Sequence, residues 1–234
     1  MVKRSDLATR LADFPIFASL DEDARIDFAS RIDLVRAERG ELIVQHLDES
    51  DELYLVLSGE LTAILISGRG REIALGEMVP GMYFGEIAAI GGGDRSASIF
   101  ARKQSDLARV PARVLRDLLD TQPGVTRILL DDMVKRVRLL TQRSFELTAL
   151  KLADRLTLFL VRAGLEHGVL VEGGELRPAP THAEIAARVG ANREAVSREL
   201  SLMVQSGLIA TRRGCITFLE PDRLIEQADD MGDL

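Results

Sequence analysis

The chain has 234 residues, enough for one large domain or two ordinary ones, and its 46% hydrophobic and 29% charged residues exclude a disordered or fibrous protein. The longest run without Asp, Glu, Lys or Arg, Leu200 to Thr211, is too short and too polar to cross a bilayer, so no membrane partner is expected. One cysteine, Cys215, excludes an internal disulfide, and His46, His167 and His182 do not make a clustered metal site, while a net charge of −7 argues, taken whole, against a nucleic-acid binder.

The N-terminal MVKRSDLATRLADF has positive charge but no apolar core or small-residue cleavage site, so a cytoplasmic location is expected. Ser19 to Arg31 reads as a helix that offers Leu20, Ala24, Ile26 and Phe28 for packing. From about Glu41 to Val110 the runs ELIVQHL, LYLVLSGELTAILI, SGRGREIAL, PGMYFGEIAAI, RSASIFA and DLARV read as strands. Gly59 and Ser67-Gly68-Arg69-Gly70 suggest successive hairpins between them. Many short strands at this spacing predict a small antiparallel barrel or roll.

Within this region YFGEIAAIGGGDRSASIFA, Tyr83 to Ala101, carries its own chemistry. A glycine-rich turn exposes backbone amides, and Arg95 with Ser96 adds a guanidinium fork and a hydroxyl, a combination that suits a phosphate. Glu86 is an acceptor that suits a ribose hydroxyl. The alternative is a surface loop in which Arg95 and Glu86 pair with each other.

After Val110 the period changes. Pro123 marks a helix start, and Leu130, Met133, Val137, Leu140, Ser144 and Leu147 follow at alternating spacings of three and four, the pattern of a coiled-coil seam. Lys135, Arg136, Arg138 and Arg143 take other faces, which favours a homodimer contact over a helix packed on its own barrel. From about Thr148 an apolar helix runs to near Gly164, a hairpin is expected around Glu172-Gly173-Gly174-Glu175, and the segment from Thr181 to Leu219 reads as helix, tight turn, helix and two-stranded wing.

Thr181 with Glu184 forms a capping box at the start of the first helix of this pair. Gly190 ends that helix and Asn192 caps the next. In a helix-turn-helix the start of the second helix enters the major groove, so Arg193, Glu194 and Arg198 are placed at base edges. Arginine pairs with guanine and glutamate with cytosine, at about 1–3 kcal/mol of discrimination per good pair. Thr181, His182, Arg212 and Arg213 are placed on backbone phosphate. The segment from Thr181 to Gly214 carries a net +2, while Glu220 to Leu234 carries −5, an acidic tail read as solvated. Against this stands the alternative of a solvated helix face.

FGEIAAIGGGDRSAS resembles the phosphate-binding cassette, and NREAVSREL the recognition helix, of the bacterial cyclic-AMP receptor and fumarate–nitrate regulator superfamily of transcription factors. The resemblance covers nearly the whole chain. It implies an α+β architecture: a cyclic-nucleotide-binding antiparallel β-roll (1–122), a long dimerisation helix (123–147) and a winged helix-turn-helix (148–234). It implies a nucleotide site in which Gly85 and Glu86 lie at the ribose and Arg95 and Ser96 at the cyclic phosphate, with Ile87 among the ligand-binding residues. It further implies double-stranded DNA with a TGTGA-like half-site, a homodimer and RNA polymerase as partners, and no metal cofactor. The cysteines of the redox-sensing branch are missing, and His46 alone does not match the haem-binding branch.

Cyclic-AMP receptors place two adjacent hydroxyl residues on the dimer helix against the base, where this chain has Leu140 and Thr141. Thr141 keeps one hydroxyl, and Arg136 lies one turn earlier. Cyclic AMP is the expected effector, with cyclic GMP and a ligand-independent regulator as alternatives. A hinge is expected around Ser144 to Thr148. No catalytic triad, metal motif or Walker loop supports an enzyme.

Overall fold

The computed structural model describes residues 6–66 and 72–231. The hairpin tip expected at Ser67-Gly68-Arg69-Gly70 lies outside the described residues. Two compact units divide the chain at Val134 and Lys135.

The first unit is a β-roll of two four-stranded antiparallel sheets. Strands β1 (Asp33–Ala37), β8 (Ser105–Val110), β3 (Leu53–Ser58) and β6 (Tyr83–Phe84) neighbour in that order in one. The other holds β2 (Leu42–Val44), β7 (Ser98–Ala101), β4 (Leu61–Ile66) and β5 (Glu72–Met78). Alternate side chains of β3 leave opposite faces, and both faces are covered. Leu53, Leu55 and Leu57 join a core with the helices, whereas Tyr54 and Val56 join Val44, Leu61, Phe84 and Ile99 inside the roll. Burial on both sides explains why this strand is a continuous apolar run rather than an alternating one.

The helical layer consists of α1 (Leu7–Leu11), a 3-10 turn at Pro15–Phe17, α2 (Glu22–Ser30), α4 (Ala112–Thr121) and the first turns of α5 (Pro123–Ala149). Phe14, Phe17 and Phe28 form its aromatic centre, with ring centroids 6.2 and 5.1 Å apart in sequence. Leu20 and Phe28 are buried as expected, but Ile26 is half exposed. Val125 and Leu129 of α5 are buried here, and Met133 packs partly against the same cluster.

Two sequence expectations change in this unit. Gly59 does not turn a hairpin: β3 and β4 lie in different sheets, so the glycine carries the chain around a corner. Its φ of +93° and the closeness of Ser105 Oγ and the Gln104 carbonyl leave no room for a Cβ. PGMYFGEIAAI is not one strand. Gly81 and Gly85 take positive φ at its ends of the two-residue β6, and helix α3 (Glu86–Gly91) follows. The helix α4 and strand β1 carry no pattern that the sequence reading recognised.

In the second unit α6 (Leu152–Glu166), α7 (His182–Val189), α8 (Arg193–Gln205) and α9 (Pro221–Asp229) enclose a core around Leu156, Leu160, Ile185, Val196, Leu200 and Phe218. The wing has β10 (Ile209–Arg212), β11 (Cys215–Phe218) and a third strand, β9 (Glu175–Leu176), at the edge of β11. The segment at Glu172-Gly173-Gly174-Glu175 therefore leads into the wing and forms no hairpin of its own: Gly173 N–H donates to the Phe218 carbonyl and Phe218 N–H to that of Gly174. Part of the acidic end forms α9, which buries Leu224 and Ala228 on one face while Asp222, Glu226 and Asp229 stay exposed. Helix α5 is continuous through Ser144–Thr148, and the first break in helical backbone comes at Leu150–Lys151.

Candidate nucleotide pocket and nucleic-acid interface

The cassette is built on β6. Its pairing with β3 sets Tyr54 opposite Phe84, and the two rings stack at 5.0 Å with planes 7° apart. Gly85 then turns the chain at φ +86°, and a Cβ there would sit 2.5 Å from Arg95 Nη1 and 2.6 Å from the Glu52 carbonyl. Only glycine fits this crossing. Glu86 is buried at the first position of α3, Ile87 beside it is exposed, and Ser96 is exposed on the returning loop.

Arg95 is 2% exposed. Its backbone is pinned to the loop before β3: Arg95 N–H donates to the Asp48 carbonyl, and Leu47 N–H donates to the Arg95 carbonyl. Leu47 takes a left-handed φ of 69° to do so. The guanidinium Nε donates to Ser50 Oγ at 2.9 Å, Nη1 to the Glu52 carbonyl at 2.7 Å and the Gly85 carbonyl at 3.4 Å, and Nη2 to Glu52 Oε2 at 3.2 Å. Its central carbon stands 5.9 Å from the Tyr54 ring centroid. Burial, and then the Glu52 charge, push the Tyr54 hydroxyl above its ordinary pKa.

The carboxylate on Arg95 is therefore Glu52 and not Glu86. Ser50, Glu52 and Tyr54 had no place in the sequence reading, since Glu52 lies 43 positions from Arg95. The available sign was the acidic run Asp48-Glu49-Ser50-Asp51-Glu52 just before an apolar strand. Of the five guanidinium N–H groups, these contacts leave one on Nη2, and Glu52 is 28% exposed on its side chain. The Arg95 guanidinium is thus desolvated and aimed by its neighbours, with one partly solvated acid on Nη2.

In the second unit the caps expected from sequence are present. Glu184 N–H donates to Thr181 Oγ1, and Thr181 N–H and hydroxyl donate to Glu184 Oε2 at 2.6 and 2.8 Å. Those bonds hold the Glu184 carboxyl below its ordinary pKa. Gly190 takes φ 66° and ψ 45°, and Asn192 Oδ1 accepts from Ala195 N–H at 2.7 Å. His182 Nδ1 lies 2.7 Å from Ser197 Oγ, a polar link between α7 and α8.

Val196, Leu200 and Met203 of α8 face the core, which turns Arg193, Glu194 and Arg198 into solvent. Among the described residues none of these three makes an ion pair. Arg213 is exposed beside Gly214 at the wing turn, while Arg212 donates to Glu175 of β9 and so is partly occupied. Along α5, Leu130, Val137, Leu140, Thr141, Ser144 and Leu147 are all exposed, Leu147 the least of the leucines because it lies against Gly190.

Comparison with known proteins bears on both units. Residues 34–122 match the model of the cyclic nucleotide-binding domain, and residues 151–227 that of the Crp-like helix-turn-helix domain. The CRP-like cAMP-activated global transcriptional regulator of Mycobacterium tuberculosis is 26% identical over 93% of this chain and 98% of its own length. The catabolite activator protein of Thermus thermophilus is 27% identical at a TM-score of 0.52, covering 93% of this chain and 100% of that one. The c-di-GMP responsive global regulator CLP of Xanthomonas campestris is 25% identical at a TM-score of 0.63, covering 86% and 100%. A lysophospholipase NTE1 of Coccidioides immitis is 33% identical over 48% of this chain, but the match spans only 7% of that protein. A nucleotide-binding roll followed by a long helix and a Crp-like helix-turn-helix places the chain in the cyclic-AMP receptor and fumarate–nitrate regulator superfamily of transcription regulators.

Proposed function

We propose that the protein is a homodimeric, sequence-specific DNA-binding regulator gated by a cyclic nucleotide, with cyclic AMP as effector and a TGTGA-like palindrome as target. Residues 1–122 take the nucleotide, 123–147 the dimer contact and 148–234 the DNA. The observation that carries this reading is Arg95, a buried guanidinium at a glycine crossing whose acid partner is partly solvated.

A cyclic phosphate competes with the Glu52 carboxylate for Nη2 and adds the Ser96 hydroxyl, while Ser50 and the Glu52 carbonyl keep the fork aimed. Because the cation is already desolvated, the anion meets a donor that costs little to organise. Gly85, Glu86 and Ile87 then lie beside the sugar. The Thr141 hydroxyl on α5 is available to the base. Cyclic GMP is the second reading, favoured by Leu140 in place of a second hydroxyl and by Arg136 one turn earlier.

The exposed row from Leu130 to Leu147 pairs two protomers, which sets two copies of α8 against successive major grooves about 34–36 Å apart. Nucleotide contacts made only in the DNA-ready arrangement shift the population toward it. Arg193, Glu194 and Arg198 read bases, Thr181, His182 and Arg213 position the backbone, and Arg212 joins them on release from Glu175. RNA polymerase is the further partner. Titration calorimetry with cyclic AMP and cyclic GMP tests the pocket: the wild type binds cyclic AMP more tightly, and unchanged affinity in Arg95→Ala contradicts the assignment.

A further inference from the structure

Four arginines line a cavity of the second unit whose lining includes none of Arg193, Glu194 and Arg198. It holds about 390 Å³, within the range of small-ligand sites. Arg143 and Glu146 of α5 line it, with Arg155, Phe159 and Arg162 of α6 and Arg188 at the end of α7. The three α6 residues follow at spacings of four and three, so one helix face presents them together.

Arg155 Nη1 donates to the Leu147 and Leu150 carbonyls at 3.3 and 3.1 Å, closing the end of α5. Its Nε is buried and finds no acceptor among the described residues. Arg162 Nη1 lies 2.7 Å from Glu146 Oε1 without the alignment of a hydrogen bond, and Arg162 Nη2 is buried with no acceptor among the described residues. Arg188 stands 5.9 Å over the Phe159 ring. With Glu166 included, the lining carries four positive charges against two negative ones.

Four guanidinium groups against two carboxylates leave the lining net positive, and a planar oxyanion answers a guanidinium with charge-assisted bonds. A lining that joins Leu139, Leu147 and Phe159 to four arginines asks for a ligand with both characters. We propose that this cavity binds a small organic oxyanion, its charged head on Arg155 and Arg162 and its apolar body along Phe159. Such an occupant touches the end of α5, the length of α6 and the first helix of the helix-turn-helix at once. It is separate from the nucleotide site, and its binding does not rest on the gating reading.

The test is titration calorimetry of the full chain at constant ionic strength with phenyl phosphate, benzoate, inorganic phosphate and phenol. Phenyl phosphate or benzoate binds, the tighter of the two naming the head group. Inorganic phosphate is about tenfold weaker and phenol inert, since each lacks half of the ligand. Arg162→Gln weakens binding about 10- to 100-fold, the loss of one or two bonds to a charged group. Arg162→Lys keeps a cation opposite Glu146, guarding against loss of the fold, and weakens it as well because the fork is gone. Arg95→Ala leaves it unchanged. No heat from either aromatic anion, binding retained in both Arg162 variants, or binding lost in Arg95→Ala overturns the proposal.

Discussion

Arg95 in the roll is 2% exposed and held by Ser50, Glu52 and the Gly85 carbonyl, whereas Arg193 and Arg198 on α8 stand in solvent with no ion pair among the described residues. Both regions present arginine to phosphate-bearing ligands in the reading above, but with opposite economies. The roll holds its cation with its own groups, so in the proposed reading a ligand meets a donor already aimed. On α8 the arginines are exposed without an ion pair among the described residues, so in the proposed reading they find partners only on the DNA, and a groove with the wrong bases leaves them unpaired. A mutation in the first region therefore costs both stability and affinity, and one in the second costs recognition alone.

The largest expected effect is at Arg95. Arg95→Ala removes a multidentate cation and should weaken cyclic AMP about 100- to 1,000-fold by calorimetry. It should also lower stability by about 2 kcal/mol in urea unfolding, less than for a sealed ion pair because Glu52 can rehydrate. A variant with native stability would break the comparison. Gly85→Ala comes next: a Cβ at φ +86°, 2.6 Å from a backbone oxygen, should cost about 2–3 kcal/mol and blunt nucleotide binding through a displaced Arg95.

Arg193→Ala should leave the urea midpoint within about 0.5 kcal/mol of wild type and lower the preference for the target palindrome over random duplex about 10- to 100-fold. Full retention of preference, measured at one salt concentration, would remove this residue from the groove. Thr181→Ala should destabilise α7 by about 1 kcal/mol through loss of the cap. The smallest effect is its pH dependence. The Glu184 carboxyl is held below its unfolded value by Thr181, so its contribution is present above about pH 4.3 and is lost as pH falls through the folded value. Acid titration of wild type should show this loss, and Thr181→Ala should show a smaller one, because the variant keeps the Thr181 backbone N–H on Glu184 and loses only the hydroxyl.

What could be read in the sequence was local. The capping box, the turn glycine Gly190 and the Asn192 cap act within three residues of their targets, and all are present. The cassette was legible as a glycine-rich turn with Arg95, but its acid partner was not, because Glu52 is brought to Arg95 by the β3–β6 pairing and by nothing nearby in the chain. Gly59 shows the same limit: a glycine between two apolar runs marks a change of direction, and only the partner strands decide between a hairpin and a corner from one sheet to the other. Helix α4 was legible in principle, since Val114, Leu115 and Leu118 mark one buried face at helical spacing, whereas α2 has too weak a periodicity to show that Ile26 points outward.

Ligand gating of DNA binding is the central claim, and fluorescence anisotropy of a labelled TGTGA palindrome tests it most directly. Purified protein is titrated with and without cyclic AMP at one stated salt concentration. Marked tightening by cyclic AMP, absent in Arg95→Ala, is the predicted result; equal affinity with and without nucleotide would contradict the account.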